Sequence, residues 1–209
     1  AASDVYKRQA EEETAGDKSL RYLIPYLPKI DFAIIGEPTQ MELAIAEKGL
    51  VVFDIEIKGT PSHAAHPNMD NPLMKLPEII KKIENISFEK VSPILGPVKL
   101  TLTQINAGSQ HNVVPSEVKL VLDVRVNECY QNHEIDEVIQ KALPCNVKAR
   151  SLHLKSSSIS IDHPIVKAGE KLGRKTYGSP TLSDQASLSC PSLKLGPGDS
   201  TLSLIHISE

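Results

Sequence analysis

Runs of apolar residues change period several times along the chain, and each change marks an element. Phe32-Ala33-Ile34-Ile35 is a short continuous apolar run closed by Gly36 and Pro38, the pattern of a buried, parallel-type strand. Residues 49–58 alternate, with Val51, Phe53, Ile55 and Ile57 on one face and Asp54 and Glu56 on the other. A loop rich in Gly, Pro and His runs from Gly59 to Asn71. The period then lengthens: Leu73, Leu76, Ile79, Ile80 and Ile83 share one face of a helix, with Asn71 as cap, Pro72 in the first turn and Pro77 as a weak point. Alternation returns at Val98, Leu100 and Leu102, and again from Val118 to Val126. Asn132 to Leu143 reads as a helix with Ile135, Val138, Ile139, Ala142 and Leu143 inward and Pro144 as the stop. A further strand is expected over roughly 145–154.

From 49 to 154 the order is therefore β-α-β-β-α-β, the split βαβ pattern of a ferredoxin-like sandwich. On either side lie α/β-type pieces: the 32–35 strand before it, and after it a helix from Pro164 to Leu172 and a strand from Ser192 to Leu195. The pattern predicts a small α+β domain inserted into a larger α/β domain. Residues 1–9 show no period or cap, residues 202–209 are short, apolar and serine-rich after a well-formed loop, and neither end has the layout of a signal peptide. They read as foreign ends, so the chain is expected to be an internal piece of a longer protein.

Composition narrows the function classes. Of 209 residues, 40% are hydrophobic and 23% charged, which suits a folded chain rather than a disordered one. The charge sum of 23 − 26 = −3 provides no basic field for nucleic acid or an anionic membrane. No apolar run approaches the roughly 18 residues of a membrane span. Cys129, Cys145 and Cys190 are odd in number and lack C-x-x-C spacing, so neither a disulfide framework nor a cysteine zinc knuckle is expected, and a reducing cytoplasm fits best. With five Tyr, three Phe and no Trp, stacking platforms for single-stranded nucleic acid are also not expected.

Several polar residues stand where chemistry can be done. Glu11, Glu12 and Glu13 precede Thr14, a run that suits a solvated loop or helix start. Glu37, in Gly36-Glu37-Pro38-Thr39, directly follows a predicted strand; ligands of open α/β sheets gather at such carboxyl ends, and a carboxylate there can ligate a metal or simply face water. His63 and His66 have the spacing of a helical metal pair, yet Gly59, Pro61 and Pro67 favour a loop in which small neighbours let the His63 ring project. Asn112, in Gln110-His111-Asn112-Val113-Val114-Pro115, is a turn residue leading into a strand. Arg125 shares a strand face with Lys119 and Asp123; its guanidinium suits either a bidentate grip on a substrate carboxylate or a structural pair with Asp123 or Glu128.

The ordered set Glu12-Glu13-Thr14, Gly36-Glu37-Pro38-Thr39, Glu47-Lys48-Gly49, Ser62-His63-Ala64-Ala65, Asn112-Val113-Val114-Pro115, Asp123-Val124-Arg125 and Gly196-Pro197-Gly198-Asp199 resembles the zinc-dependent amidohydrolases of the M20 peptidase class. Within that class the likeness is to the acetylornithine deacetylase and succinyl-diaminopimelate desuccinylase type. The resemblance implies fragments of an α/β catalytic domain, residues 10–47 and 156–201, with an inserted α+β ferredoxin-like lid and dimerisation domain at 48–155. It implies Glu12 as the general base acting on a metal-held water, Glu13 as a ligand of one metal and Glu37 as a ligand of the other. Two zinc ions would serve a complete site, with cobalt as an alternative. His63 would reach into a partner subunit's site to stabilise the oxyanion, and Asn112 and Arg125 would hold the substrate's polar ends. The implied reaction is removal of an N-acyl group from a small amino acid, N-acetylornithine in arginine biosynthesis being the first expectation. Succinyl-diaminopimelate or a dipeptide is the alternative substrate, and a non-catalytic dimerisation module the alternative of another class. The implied partners are the small substrate and a second copy, with no nucleic acid and no membrane.

The sequence also departs from that class. No His-x-Asp pair precedes Glu11, and the place of a histidine after the Gly-Pro-Gly loop is taken by Leu204, with His206 two positions away. One carboxylate per metal is fewer than the three protein ligands of a catalytic zinc. The chain as it stands is therefore expected to bind zinc weakly and to turn over nothing.

Overall fold

In the computed structural model, which describes residues 20–200, the elements in chain order begin with α1 (Leu20–Leu23), β1 (Ala33–Ile35), β2 (Leu43–Glu47), β3 (Gly49–Lys58), β4 (Ser62–His63) and α2 (Pro72–Glu84). They continue with β5 (Lys99–Ala107), β6 (Val113–Val114), β7 (Glu117–Val126), α3 (Asn132–Ala142) and β8 (Asn146–Ala149). The last are β9 (Ser157–Ser158), α4 (Pro164–Lys171), β10 (Thr176–Ser179) and β11 (Ser192–Lys194). Two units result: Lys48–Ser156 forms one, called the insert below, and the residues on either side of it form the other, the frame.

In the insert, four strands lie in the order β5-β7-β3-β8 with every neighbouring pair antiparallel. Strands β3 and β5 flank β7, and β7 and β8 flank β3, so the two βαβ crossovers each skip one strand, which is the ferredoxin-like arrangement. Pairing of β3 with β7 runs the full length, from Gly49↔Val126 to Lys58↔Glu117. Register matters because the side-chain period is two. It stacks Val51, Phe53, Ile55 and Ile57 beside Val118, Leu120, Leu122, Val124 and Val126 in one buried layer. Helices α2 and α3 cover that layer with Ile79, Ile83, Ile135 and Ile139. Each such side chain contributes about 1.5–3 kcal/mol when taken from water. The opposite sheet face is polar, with Arg150 forking onto Asp54.

The helix ends follow local chemistry. The Asn71 side chain accepts from the Leu73 amide at 3.0 Å, and Pro72 occupies the first position, where no amide is required. Pro77 does not stop the helix. At α3 the Glu134 carboxylate accepts from the Gln131 amide at 2.7 Å.

The frame carries a mixed sheet in the order β1-β11-β2-β10, with β9 added on β2. Pairs β1–β11 and β2–β10 are parallel, and β11 meets β2 antiparallel through Lys194↔Ala44. Its core is small: Leu43, Ile45, Ile159, Val166 and Leu193.

Three expectations need correction, and one element is added. The 32–35 run does form a parallel strand, but it is not buried: Ile34 is 50% exposed, because β1 is the edge of its sheet and has one neighbour among the described residues. Leu73 and Val138 face outward: the core contacts of the two helices come from Leu76, Ile79 and Ile83 and from Ile135, Ile139, Ala142 and the adjoining Leu143. The strand expected over 145–154 shortens to four residues, because β8 pairs only with Phe53 to Glu56. Strand β2 was not foreseen. Its Leu-Ala-Ile-Ala-Glu sequence has no alternation because all five residues are buried, the alanines included.

Candidate functional site

In the frame, the two motif loops meet at the carboxyl ends of the parallel pair β1 and β11. The Leu195 amide donates to the Ile35 carbonyl at 2.9 Å and continues the ladder into both turns. The Thr39 and Met41 amides then donate to the Gly196 carbonyl, and the Gln40 amide to that of Gly198. The buried Thr39 hydroxyl donates to the Glu42 carbonyl at 2.7 Å and accepts the Gly196 amide at 3.1 Å. The Gln40 side chain donates to Asp199 at 2.7 Å. Gly196 is required here: a Cβ would stand 2.5 Å from the Glu37 carbonyl oxygen. The half-buried Glu37 therefore sits on a turn held from the neighbouring strand, at the edge where ligands of such sheets collect.

In the insert, β4 and β6 pair and bring two other candidates together. His63 lies opposite Val113, and the Ala64 amide donates to the Asn112 carbonyl at 2.9 Å. His63 is exposed, and its ring meets that of His66 edge-on at 5.9 Å between centroids. An open cavity of about 370 Å³ lies alongside, lined among others by Asn106, Ser109, Val113, Ser116 and Lys119.

Arg125 is not part of that group. It sits near the end of β7, opposite Leu50, which follows the start of the insert by two residues. The His63 loop begins just after β3 ends, at Gly59, nine residues beyond Leu50, or about 30 Å at the rise of an extended strand. The Arg125 guanidinium grips its neighbour: Nε donates to Asp123 Oδ1 at 2.8 Å and Nη2 to Oδ2 at 3.0 Å. The structural pairing with Asp123 is thus formed, and the Nη1 edge of the fork remains for another acceptor.

Glu47-Lys48-Gly49, a motif without an assigned chemistry in the sequence, spans the passage from frame to insert. Glu47 and Lys194, from β2 and β11, form an ion pair at 2.9 Å with side chains 0% and 2% exposed. Ser183 donates to the same Glu47 oxygen at 2.7 Å, and Lys194 donates also to Ser179 Oγ and to the Thr181 carbonyl. Burial pushes the Glu47 carboxyl above its ordinary value, against the pull of Lys194. Lys48 donates to the Pro97 carbonyl at 2.6 Å, and burial lowers its ammonium. The signal for the buried pair was weak, since Glu47 and Lys194 lie 147 positions apart and nothing local couples them.

Glu12 and Glu13 lie outside the described residues. Among the described residues no group of three or more His, Cys, Asp or Glu is placed to hold a metal ion. Glu37 supplies one carboxylate where a catalytic zinc takes three protein ligands, so the described residues do not by themselves fit the ion. No helix among them is long and apolar enough to cross a membrane, and all three cysteines are free.

Residues 45–148 match the family described as the peptidase dimerisation domain of the M20 class. The chain belongs to the M20 peptidases. Among curated relatives, it is 31% identical over 128 residues to the succinyl-diaminopimelate desuccinylase of Rickettsia canadensis, covering 58% of this chain and 33% of that protein. It is 26% identical over 153 residues to the desuccinylase of Ehrlichia canis, covering 69% and 40%. The chain thus spans about a third of the length of the curated relatives it matches. Among solved structures, a tripeptidase from Staphylococcus aureus superposes with a TM-score of 0.65 at 19% identity, covering 82% of this chain and 50% of the other. An M20 family metallo-carboxypeptidase from Sulfolobus solfataricus does so with 0.65 at 14%, covering 88% and 60%. These two establish the fold.

Proposed function

We propose that this chain is part of a metal-dependent hydrolase that removes the N-acyl group from a small amino acid. Residues 10–47 and 156–201 belong to its catalytic domain, and 48–155 form its lid and dimerisation domain. The observation that carries the proposal is the separation of the polar candidates along the insert. Arg125 lies beside the start of β3, whereas His63 and Asn112 lie together at the β4–β6 pair beyond the far end of β3, which is about 30 Å away along the strand. A histidine so far from its own crossing suits delivery to the site of a second copy, and a dimerisation domain supplies that copy.

Zinc, two ions per complete site with cobalt as an alternative, would supply Lewis acidity and a more acidic water when bound. Glu13 and Glu37 are the ligands assigned in this chain. Glu12 takes the proton from the attacking water on its carboxylate. His63 donates to the oxygen on which charge develops, and Asn112 and Arg125 orient the polar ends of the substrate. The desuccinylase relatives favour a succinylated diamino acid over N-acetylornithine. The protein is placed in the cytoplasm, with no nucleic acid or membrane as partner.

The test uses the protein completed with its flanking coding sequence. Glu12→Gln should abolish hydrolysis at near-normal metal content; metal loss instead would exchange the roles of Glu12 and Glu13. His63→Ala should lower kcat by about 10²–10³, the effect of one oxyanion donor. Mixed dimers of the two variants should recover activity, and no recovery would remove His63 from the partner's site. On a panel of acylated amino acids, kcat/KM should be highest for succinyl-diaminopimelate. Preference for acetylornithine would overturn that choice, and no hydrolysis with zinc or cobalt would leave a non-catalytic dimerisation module.

A further inference from the structure

We infer that the loop from Gly59 to Asn71 is a holder that fixes one tautomer of His63, and that Asn68 is its positioning residue. The inference deepens the oxyanion role proposed for His63 and rests on it for its functional meaning, though not for its structural content.

The ends of the loop are drawn together. The Thr60 amide donates to the Asp70 carbonyl at 2.9 Å, the geometry of a compact Ω-type loop. At Gly59 a Cβ would collide with the Asp70 carbonyl oxygen and the Pro72 ring, so this closure requires glycine. The Thr60 hydroxyl donates to Asp70 Oδ2 at 2.8 Å, and Lys75 of α2 holds the other carboxylate oxygen. That interaction draws the Asp70 carboxyl below its ordinary value.

Asn68 ties the interior. Its amide nitrogen donates to the Thr60 carbonyl at 2.8 Å and to Ser62 Oγ at 2.7 Å, while its oxygen accepts from the Asp70 amide at 2.8 Å. Both donors and the acceptor are thus used, and two of the three bonds end on the short segment that leads into His63. On the other side, the Ala64 amide donates to the Asn112 carbonyl. The backbone around His63 is held from both flanks.

The ring is then set by its own chain. The Ala65 amide donates to His63 Nδ1 at 3.1 Å. A nitrogen that accepts carries no proton, so in the neutral imidazole the proton must sit on Nε2. Nε2 is the nitrogen farther from the backbone, and it emerges as a donor. That is the form required of a group that donates to a developing oxyanion, and it is prepared before substrate arrives.

The test reads the tautomer directly. Long-range 1H–15N spectra of the 209-residue chain distinguish a protonated from an unprotonated ring nitrogen, and His63 is assigned among the seven histidines by comparison with His63→Gln. At a pH where the ring is neutral, His63 should show Nε2 protonated and Nδ1 bare; the opposite pattern would overturn the inference. Asn68→Asp keeps the acceptor for the Asp70 amide and loses both donors. It should shift His63 toward a mixture of tautomers while the amide spectrum of β3 and β7 stays in place. An unchanged tautomer would remove Asn68 from the role. Should Asn68→Asp fail to fold, Ser62→Ala deletes one of the same contacts and should give a smaller shift in the same direction; no shift would count equally against Asn68. In the completed enzyme, Asn68→Asp should lower kcat roughly tenfold with KM little changed, the signature of a misplaced group. A fixed Nε2 tautomer combined with full activity of His63→Ala would leave the holder standing and refute the catalytic role of His63.

Discussion

The insert and the frame solve the same problem by different means. The insert buries sixteen hydrophobic side chains in one layer between a fully paired antiparallel sheet and two helices. On its open face Arg150 meets Asp54 with both side chains about half exposed. The frame packs a core cluster of five hydrophobic residues and places a Glu–Lys ion pair at the centre of its sheet. Apolar burial needs no partner of fixed geometry, so the insert tolerates loops of many shapes at its far end. A buried ion pair is stable only with each hydrogen bond made, so the frame depends on Ser179, Thr181 and Ser183 as well. The candidate chemistry follows this division. Glu37 sits on a backbone laced by the neighbouring turn, whereas His63 sits on a loop tied internally through Asn68 and externally through Lys75 and the Asn112 carbonyl.

The largest effect should come from the insert's core. Phe53, fully buried on β3, should cost about 3–5 kcal/mol when replaced by alanine. In chemical denaturation, the spectral signals of the insert should melt early while those of the frame keep their midpoint. A common shift of both would show that the two units unfold as one.

Next comes the ion pair. Lys194→Met leaves the Glu47 carboxylate buried without its cation and should destabilise the frame by about 3 kcal/mol at neutral pH. Adding Glu47→Gln should return much of that loss; a double variant no better than the single would mean that the charge is not what matters. The pH dependence follows from the raised Glu47 carboxyl. The folded frame holds this proton to higher pH than the unfolded chain, so between the ordinary value near 4.5 and the raised one the native state binds more protons. Stability contributed by this group is therefore present below that window and falls as pH climbs through it. Glu47→Gln should flatten the slope, as measured by denaturation midpoints across pH.

The smallest effect belongs to the exposed pair. Arg150→Ala should change stability by no more than about 1 kcal/mol, and less in high salt. Asp54 is held below its ordinary value first by its hydrogen bonds with Arg150, so the loss should fade as acid protonates it. A cost equal to that of Lys194→Met would erase the distinction between the open face and the buried centre.

Much of the insert was legible from residue order alone. Alternation at 49–58 and 118–126, helical periods at 73–83 and 135–143, and the Asn71 cap each report a neighbour within a few positions. That local information fixed the β-α-β-β-α-β order and the inward faces of both long strands. The candidate residues were legible as an ordered series of short motifs, because turns and loops are written in Gly, Pro, Asn and His. Burial at β1, the alanine-rich β2 and the frame's ion pair were not legible. Each depends on which strand lies beside which, a property of distant segments. Glu47 became the frame's buried anion only when β11 brought Lys194 to it across 147 positions. Arg125 and His63 parted because β7 pairs with β3 along its whole length, which sets Arg125 beside the start of β3, while His63 lies on the β4–β6 pair that follows the other end of β3. Residue order carries periods and turns, while neighbours across a sheet, and the dielectric they create, come from the folded chain.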